Sequence, residues 1–254
     1  MANTVFDNKI IEAKAKDLLT TKINTRNLMA VDTSLALEPG MTKTINVYTY
    51  TGEAEELANG EGNSTRGAVS FVGTDYKVKR VQSNFDYTDD DFMADNSVVD
   101  NGVEGATTVL KNKMNADFFA ECAKATLSVP GALGYETIVD AIAKLNVEDE
   151  SGIFVVIPTA KKAELRKDED YKTARMGEVV YSGQVGQICG IPVVASNAAS
   201  ETYVMTKDAV KLFLKKDISA GQERDEDTTK NSVYVRAYYI AALVDNTKIC
   251  KIAE

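Results

Sequence analysis

Between residues 42 and 81, two runs of alternating β-branched and aromatic residues flank a stretch that has no core of its own. In TKTINVYTY, Ile45 and Val47 alternate with Asn46 and Tyr48, and AVSFV with YKVKRV repeats the pattern beyond residue 67. Period-two alternation specifies strands, and two such runs in succession specify a hairpin. The intervening GEAEELANGEGNSTRG is rich in Gly, Glu and Asn and is expected to be an exposed, mobile tip. A long two-stranded ribbon is marginal in water and cannot bury both faces against its own domain. The expectation is therefore that it lies on another chain.

Downstream, Asp95, Asn96 and Ser97 offer helix caps. Val99, Val103, Ala106, Leu110, Met114, Phe118 and Cys122 then recur at three- and four-residue steps, which is one sustained helix face. Carried to residue 126, this helix would run roughly 45 Å at 1.5 Å per residue, with Gly102 and Gly105 as weak points. Its apolar stripe reads as core packing.

Beyond Pro130 and Gly131 the pattern is mixed. Ile138, Ala141, Ile142 and Leu145 mark a helix, GIFVVIP a buried strand, and Thr159 the cap of a helix through Leu165. A polar loop over residues 168–187 leads into ICGIPVVAS, read as one strand. KLFLKKDI and SVYVRAYYIAALV flank the turn-like QERDEDTTK as a second antiparallel pair. Helices and strands interleave without regular βαβ repetition, so the class is α+β. Residues 1–41, closed by Pro39 and Gly40, have loose helical spacing and a basic bias from Lys9, Lys14, Lys16, Lys22 and Arg26. They read either as an amphipathic helix on the body or as an arm that reaches a neighbour.

The chain holds no histidine, which removes the commonest general base and the commonest zinc ligand. Cys122, Cys189 and Cys250 are odd in number and widely spaced, which fits reduced thiols in or near the core. The cluster Asp86, Asp89, Asp90, Asp91 and Asp95 lacks the spaced ligands of a calcium loop and reads as a solvated approach to a helix N-terminus. Gly62 and Gly67 have phosphate-loop spacing, but Ala68 and Val69 stand where Lys and Ser or Thr are needed. No cofactor, metal or catalytic residue is assigned. A net charge of -9 disfavours nonspecific binding to DNA or anionic lipid. The longest apolar run, residues 237–244, is far short of the roughly 20 residues that cross a bilayer. The first residues show no secretory signal, which gives the expectation of a cytosolic site of synthesis.

The order of these elements resembles the Hong Kong 97-type major capsid protein fold of tailed phages, a fold that encapsulins share. The run from Gly186 to Ser196, with Gly190 and Pro192, is similar to that family's G-x-x-x-G-x-P-V strand; FVVIPTAKKAEL and the closing VYVRAYYIAALV with Arg236 are further matches. The resemblance implies an N-terminal arm over 1–41, an extended β-hairpin E-loop over 42–85 and a P-domain spine helix within 86–130. It places an α/β A-domain over 131–206 and returning P-domain strands over 207–254. It also implies pentamers and hexamers that build an icosahedral head around double-stranded DNA without specific binding to it. Assembly would take place in a bacterial cytoplasm, with scaffolding, portal and decoration proteins as further partners and no membrane.

Glu53, Glu55, Glu56 and Glu61, set against Arg66, are the candidate intersubunit contacts. Two alternatives stand beside the capsid reading. One is an encapsulin-type nanocompartment shell protein; the other is a soluble α+β enzyme that uses carboxylates or Lys161 and Lys162.

Overall fold

A computed structural model of the chain describes residues 10–15, 25–169 and 186–253. The first elements are helix α1 (residues 10–15), helix α2 (Thr25–Leu28), strand β1 (Ala30–Asp32) and a 3₁₀ turn over Ser34–Ala36. Ile11, Ala15, Leu28 and Met29 are buried in the main core, so these stretches pack on their own body. Polar bonds fasten them further: Lys14 to Asp100 at 2.6 Å, Arg26 to both oxygens of Asp217 at 3.2 Å, and Thr25 Oγ1 donating to Asn115 Oδ1. Lys9, Lys16 and Lys22 lie outside the described residues.

The alternating runs form strands β2 (Thr42–Thr51) and β3 (Ala68–Lys77), paired antiparallel from Thr42↔Lys77 to Thr51↔Ala68 without a register shift. The hairpin is shorter than a reading that extends it to residue 85. After Val78, strand β4 (Lys79–Thr88) leaves it, because the second half of YKVKRV finds its partner in the C-terminal strand. Helix α3 (Asp89–Ala94) follows on a reciprocal cap: Thr88 Oγ1 accepts from the Asp91 amide, and Asp91 accepts from the Thr88 amide.

Helix α4 (Val98–Cys122) is continuous through Gly102 and Gly105. Every residue of the predicted stripe is buried. At roughly 1.5–3 kcal/mol for each large apolar side chain removed from water, this face supplies much of the drive that holds α4 down.

Then come β5 (Leu127–Pro130), α5 (Tyr135–Leu145), β6 (Ile153–Pro158), α6 (Lys162–Lys167), β7 (Gln187–Ile188), β8 (Ile191–Ser196) and β9 (Thr202–Thr206). The chain closes with β10 (Val210–Asp225), β11 (Lys230–Leu243) and β12 (Ile249–Ala253). Two larger sheets result, one ordered β1-β10-β11-β4 and the other β5-β12-β9-β6-β8-β7. Helix α4 covers one face of the four-stranded sheet through Val233, Val235, Ala237 and Tyr239; α5 covers the six-stranded sheet through Ile138, Ala141 and Leu145.

Three local expectations are corrected. ICGIPVVAS is not one strand: β7 and β8 form a tight hairpin whose turn is Cys189 and Gly190, at φ 51° and 80°. Thr159 caps no helix; it opens a 3₁₀ turn whose N-cap position is Pro158, a residue with no side-chain acceptor, and α6 begins only at Lys162. The turn within QERDEDTTK is confined to residues 226–229, since Gln222, Glu223, Arg224 and Asp225 all have ladder partners on β11.

Candidate assembly surfaces

Beyond its root, the β2–β3 hairpin is exposed on both faces. Val47, Tyr48, Tyr50, Val69, Phe71 and Val72 all face solvent, Phe71 and Val72 at 65% and 72% exposure. Tyr48 and Phe71 sit directly opposite each other, ring centroids 5.9 Å apart. So much aromatic and aliphatic surface on one ribbon is the kind of exposed patch that interaction sites present.

The tip is built rather than shapeless. Glu55 accepts from the amides of Ser64 and Thr65 at 2.6 and 2.9 Å and from both hydroxyls. The Thr65 hydroxyl, followed by the other donors, holds its carboxyl down at about 2. At the neck of the tip, a Cβ at Gly52 or at Gly67 would meet the outer end of the exposed Tyr50 ring, which would have to swing aside. Glu55 is thus a local organiser. Glu53, Glu56, Glu61 and Arg66 point to solvent, and among the described residues Arg66 pairs with none of the four glutamates.

The root of the hairpin is clamped. Ile45, with Tyr76 and Val78, packs against Leu35, Phe213, Ile240 and Ala242. One residue beyond Val78, Lys79 Nζ reaches the buried Asp117 of α4 at 3.0 Å. Asp117 also accepts from Lys113 at 3.2 Å and from the Tyr239 hydroxyl at 2.9 Å. Burial opposes the charge on Asp117, yet these donors outweigh it and keep the carboxyl below its ordinary value. Burial, with Asp117 beside it, pushes the Tyr239 phenol far up. No spacing rule announces this node, because its members come from β4, α4 and β11.

The acidic cluster serves helix starts and ion pairs. Asp89 is bidentate to Arg224 at 2.8 and 2.9 Å, Asp86 pairs with Lys230 at 2.8 Å, and Asp95 accepts from Ser97. No group of three or more potential metal ligands occurs among the described residues. Gly190 supplies the positive φ of the β7–β8 turn, and Pro192, opposite Gln187, sits at the start of β8. Arg236, on β11, lies over the Tyr234 ring at 5.2 Å. Cys122 and Cys250 are buried and free, whereas Cys189 is exposed at its turn, contrary to the expectation of a thiol in or near the core.

Lys162 opens into a cavity of about 650 Å³ with Lys111, Asn112, Asn115, Thr159 and Ser196, and the described lining holds no carboxylate to act beside the amines. No described helix is long and apolar enough to cross a membrane.

A family model described as "Phage capsid protein" matches residues 72–252. The match begins inside β3 and takes in both larger sheets apart from β1. The major capsid protein of Staphylococcus phage phiMR11 is 26% identical over 249 residues, covering 93% of this chain and 89% of that protein. A structure from Mycobacterium phage Che8 superposes with a TM-score of 0.67 at 16% identity, over 91% of each chain. The head of Helicobacter pylori bacteriophage KHP40 gives 0.69 at 10% identity, over 89% of this chain and 86% of that one. A virus-like particle from Pyrococcus furiosus gives 0.69 at 10% identity, over 98% and 100%.

Proposed function

The chain belongs to the phage capsid protein family, and from that premise we propose that it is the major capsid protein of a tailed phage, a virion component whose copies close into an icosahedral head. The observation that carries the assembly mechanism is the exposed β2–β3 hairpin, whose Tyr48, Phe71 and Val72 have no cover within their own copy. It acts as the E-loop and lies across an adjacent subunit. Helix α4 is the spine of a P-domain completed by β10 and β11, and the unit around the six-stranded sheet is the A-domain that gathers copies into pentamers and hexamers. Each copy then makes several modest contacts, and shell closure comes from their number.

The role is structural and needs no catalysis. Packaged double-stranded DNA is contained rather than gripped, which suits a net charge of -9. Scaffolding, portal and decoration proteins are further partners in this reading. A nanocompartment is not favoured, since the family that matches is the phage one. Expression of the full chain with and without a scaffolding protein, followed by electron microscopy, tests the proposal: capsomers or shells support it, and monomers under every condition refute it.

A further inference from the structure

Strands β6 and β8 run parallel, in register from Val155↔Val193 to Pro158↔Ser196, so their carboxyl ends open side by side. The crevice outside the carboxyl ends of parallel strands is where open α/β sheets take ligands. Here α4 supplies the opposite wall, and the result is the cavity of about 650 Å³ that Lys162 lines. Thr159 and Lys162 enter it from the chain after β6, and Ser196 from the end of β8. Lys111 and Asn115, one helical turn apart, enter it from α4.

Two of these side chains are polar, buried and placed to donate. Asn115 is 6% exposed; its Oδ1 takes the Thr25 hydroxyl, and its Nδ2 has no acceptor among the described residues. Ser196 is also 6% exposed, and its Oγ accepts from the Ala198 amide at 3.3 Å, which leaves its hydroxyl hydrogen for another partner. A buried donor without an acceptor is costly, and a ligand that accepts from both removes that cost. Lys162 is half-buried and pairs with no carboxylate among the described residues. Two ammonium groups and two buried donors, with no carboxylate in the described lining, select an oxyanion even in a chain of net charge -9.

The volume is that of a small-molecule site, about 300–1,000 Å³, and exceeds a bare tetrahedral anion many times over. The described walls hold no aromatic or large aliphatic side chain, so they offer nothing on which to stack a nucleobase or lay a lipid tail. Asn112, Thr159 and Asn197 line the remainder with amide and hydroxyl groups, which suit the hydroxyls of a sugar.

The structure assigns this cavity to a small sugar phosphate, whose phosphate accepts from Lys162, Asn115 and Ser196 while Lys111 adds positive charge. The ligand joins α4 to the six-stranded sheet within one copy. Its binding is therefore independent of assembly, and the inference and the capsid reading can fail separately.

Isothermal titration calorimetry of the full chain with ribose 5-phosphate tests it. One ligand per chain is expected, with half-saturation below about 1 mM. Inorganic phosphate, which lacks the sugar contacts, is expected to bind at least about tenfold more weakly. Lys162→Met and Ser196→Ala should each weaken ribose 5-phosphate about tenfold or more, whereas Lys216→Met, on the other sheet, should leave it unchanged. No saturable binding, inorganic phosphate held as tightly as the ester, or unchanged affinity in the two site variants overturns the inference. So does a short DNA duplex whose binding Lys162→Met weakens while ribose 5-phosphate stays unbound, because the lysine then serves nucleic acid.

Should a variant not fold, nuclear magnetic resonance of the wild-type chain decides. The Asn115 side-chain amide signals are expected to move and saturate as ribose 5-phosphate is added. Signals that stay in place while the ligand binds elsewhere overturn the assignment.

Discussion

Lys79 Nζ lies 3.0 Å from Asp117 Oδ1, an ion pair that ties the first residue of β4 to the buried face of α4 just where the hairpin leaves the body. Removing the charge with Asp117→Asn breaks charge-assisted bonds to Lys79 and Lys113 and weakens that from Tyr239. A loss of about 2 kcal/mol in monomer stability is expected in urea melts at neutral pH. The carboxyl is held below its ordinary value when folded, so its contribution is present above the ordinary carboxylate range. It is lost as pH falls through the folded pKa. The wild-type advantage over Asp117→Asn should therefore shrink in acid and not in base.

The two glycines of α4 separate packing from propensity. A Cβ at Gly102 would run into the Phe85 ring, whereas one at Gly105 meets nothing. Gly105→Ala is expected to raise stability by about 0.5–1 kcal/mol through helix propensity alone. Gly102→Ala gains the same propensity but must displace Phe85, for a net loss of roughly 1 kcal/mol. Thermal melts of the two variants should move in opposite directions.

Gly190 tests the β7–β8 turn. Its φ of 80° with open space around it means that Gly190→Ala meets only a backbone penalty, about 1 kcal/mol. Calorimetry should show a lower melting temperature with the fold retained.

Glu55 organises the tip without holding up the body. Glu55→Ala should speed hydrogen exchange at the Ser64 and Thr65 amides and leave the global melt unchanged. With its carboxyl at about 2, the wild-type tip should keep its protection through the mildly acid range and lose it only as pH falls through that value.

Phe71→Asp with Val72→Asp places charge on the exposed ribbon, where both side chains are largely open to solvent in the monomer. Monomer stability should stay within about 0.5 kcal/mol of wild type. Assembly, read by sedimentation velocity, should be lost.

Much of this architecture was legible from pattern alone. Ile45 and Val47 announced β2, and the stripe from Val99 to Cys122 announced α4, because each element buries or presents one face with a regular period. The sequence was misleading where tertiary partners override local character. Gln222 to Asp225 look like turn residues, yet β11 offers them a ladder and Asp89 offers Arg224 a bidentate acceptor. The Cys189–Gly190 turn hid inside an apolar run because a two-residue reversal needs only positive φ. Among the candidate contacts, Glu55 was legible as a tip residue but not as an internal acceptor. Asp117 was invisible as a clamp, since the two partners that tie it to the sheet, Lys79 and Tyr239, lie 38 and 122 residues away.

The most direct measurement is cryo-electron microscopy of the particle that the full chain forms, at a resolution that shows side chains. The account predicts a closed shell of five- and six-fold capsomers in which Tyr48, Phe71 and Val72 of each hairpin are covered by an adjacent copy. A particle in which those side chains stay open to solvent, or a protein that remains monomeric throughout, would contradict it.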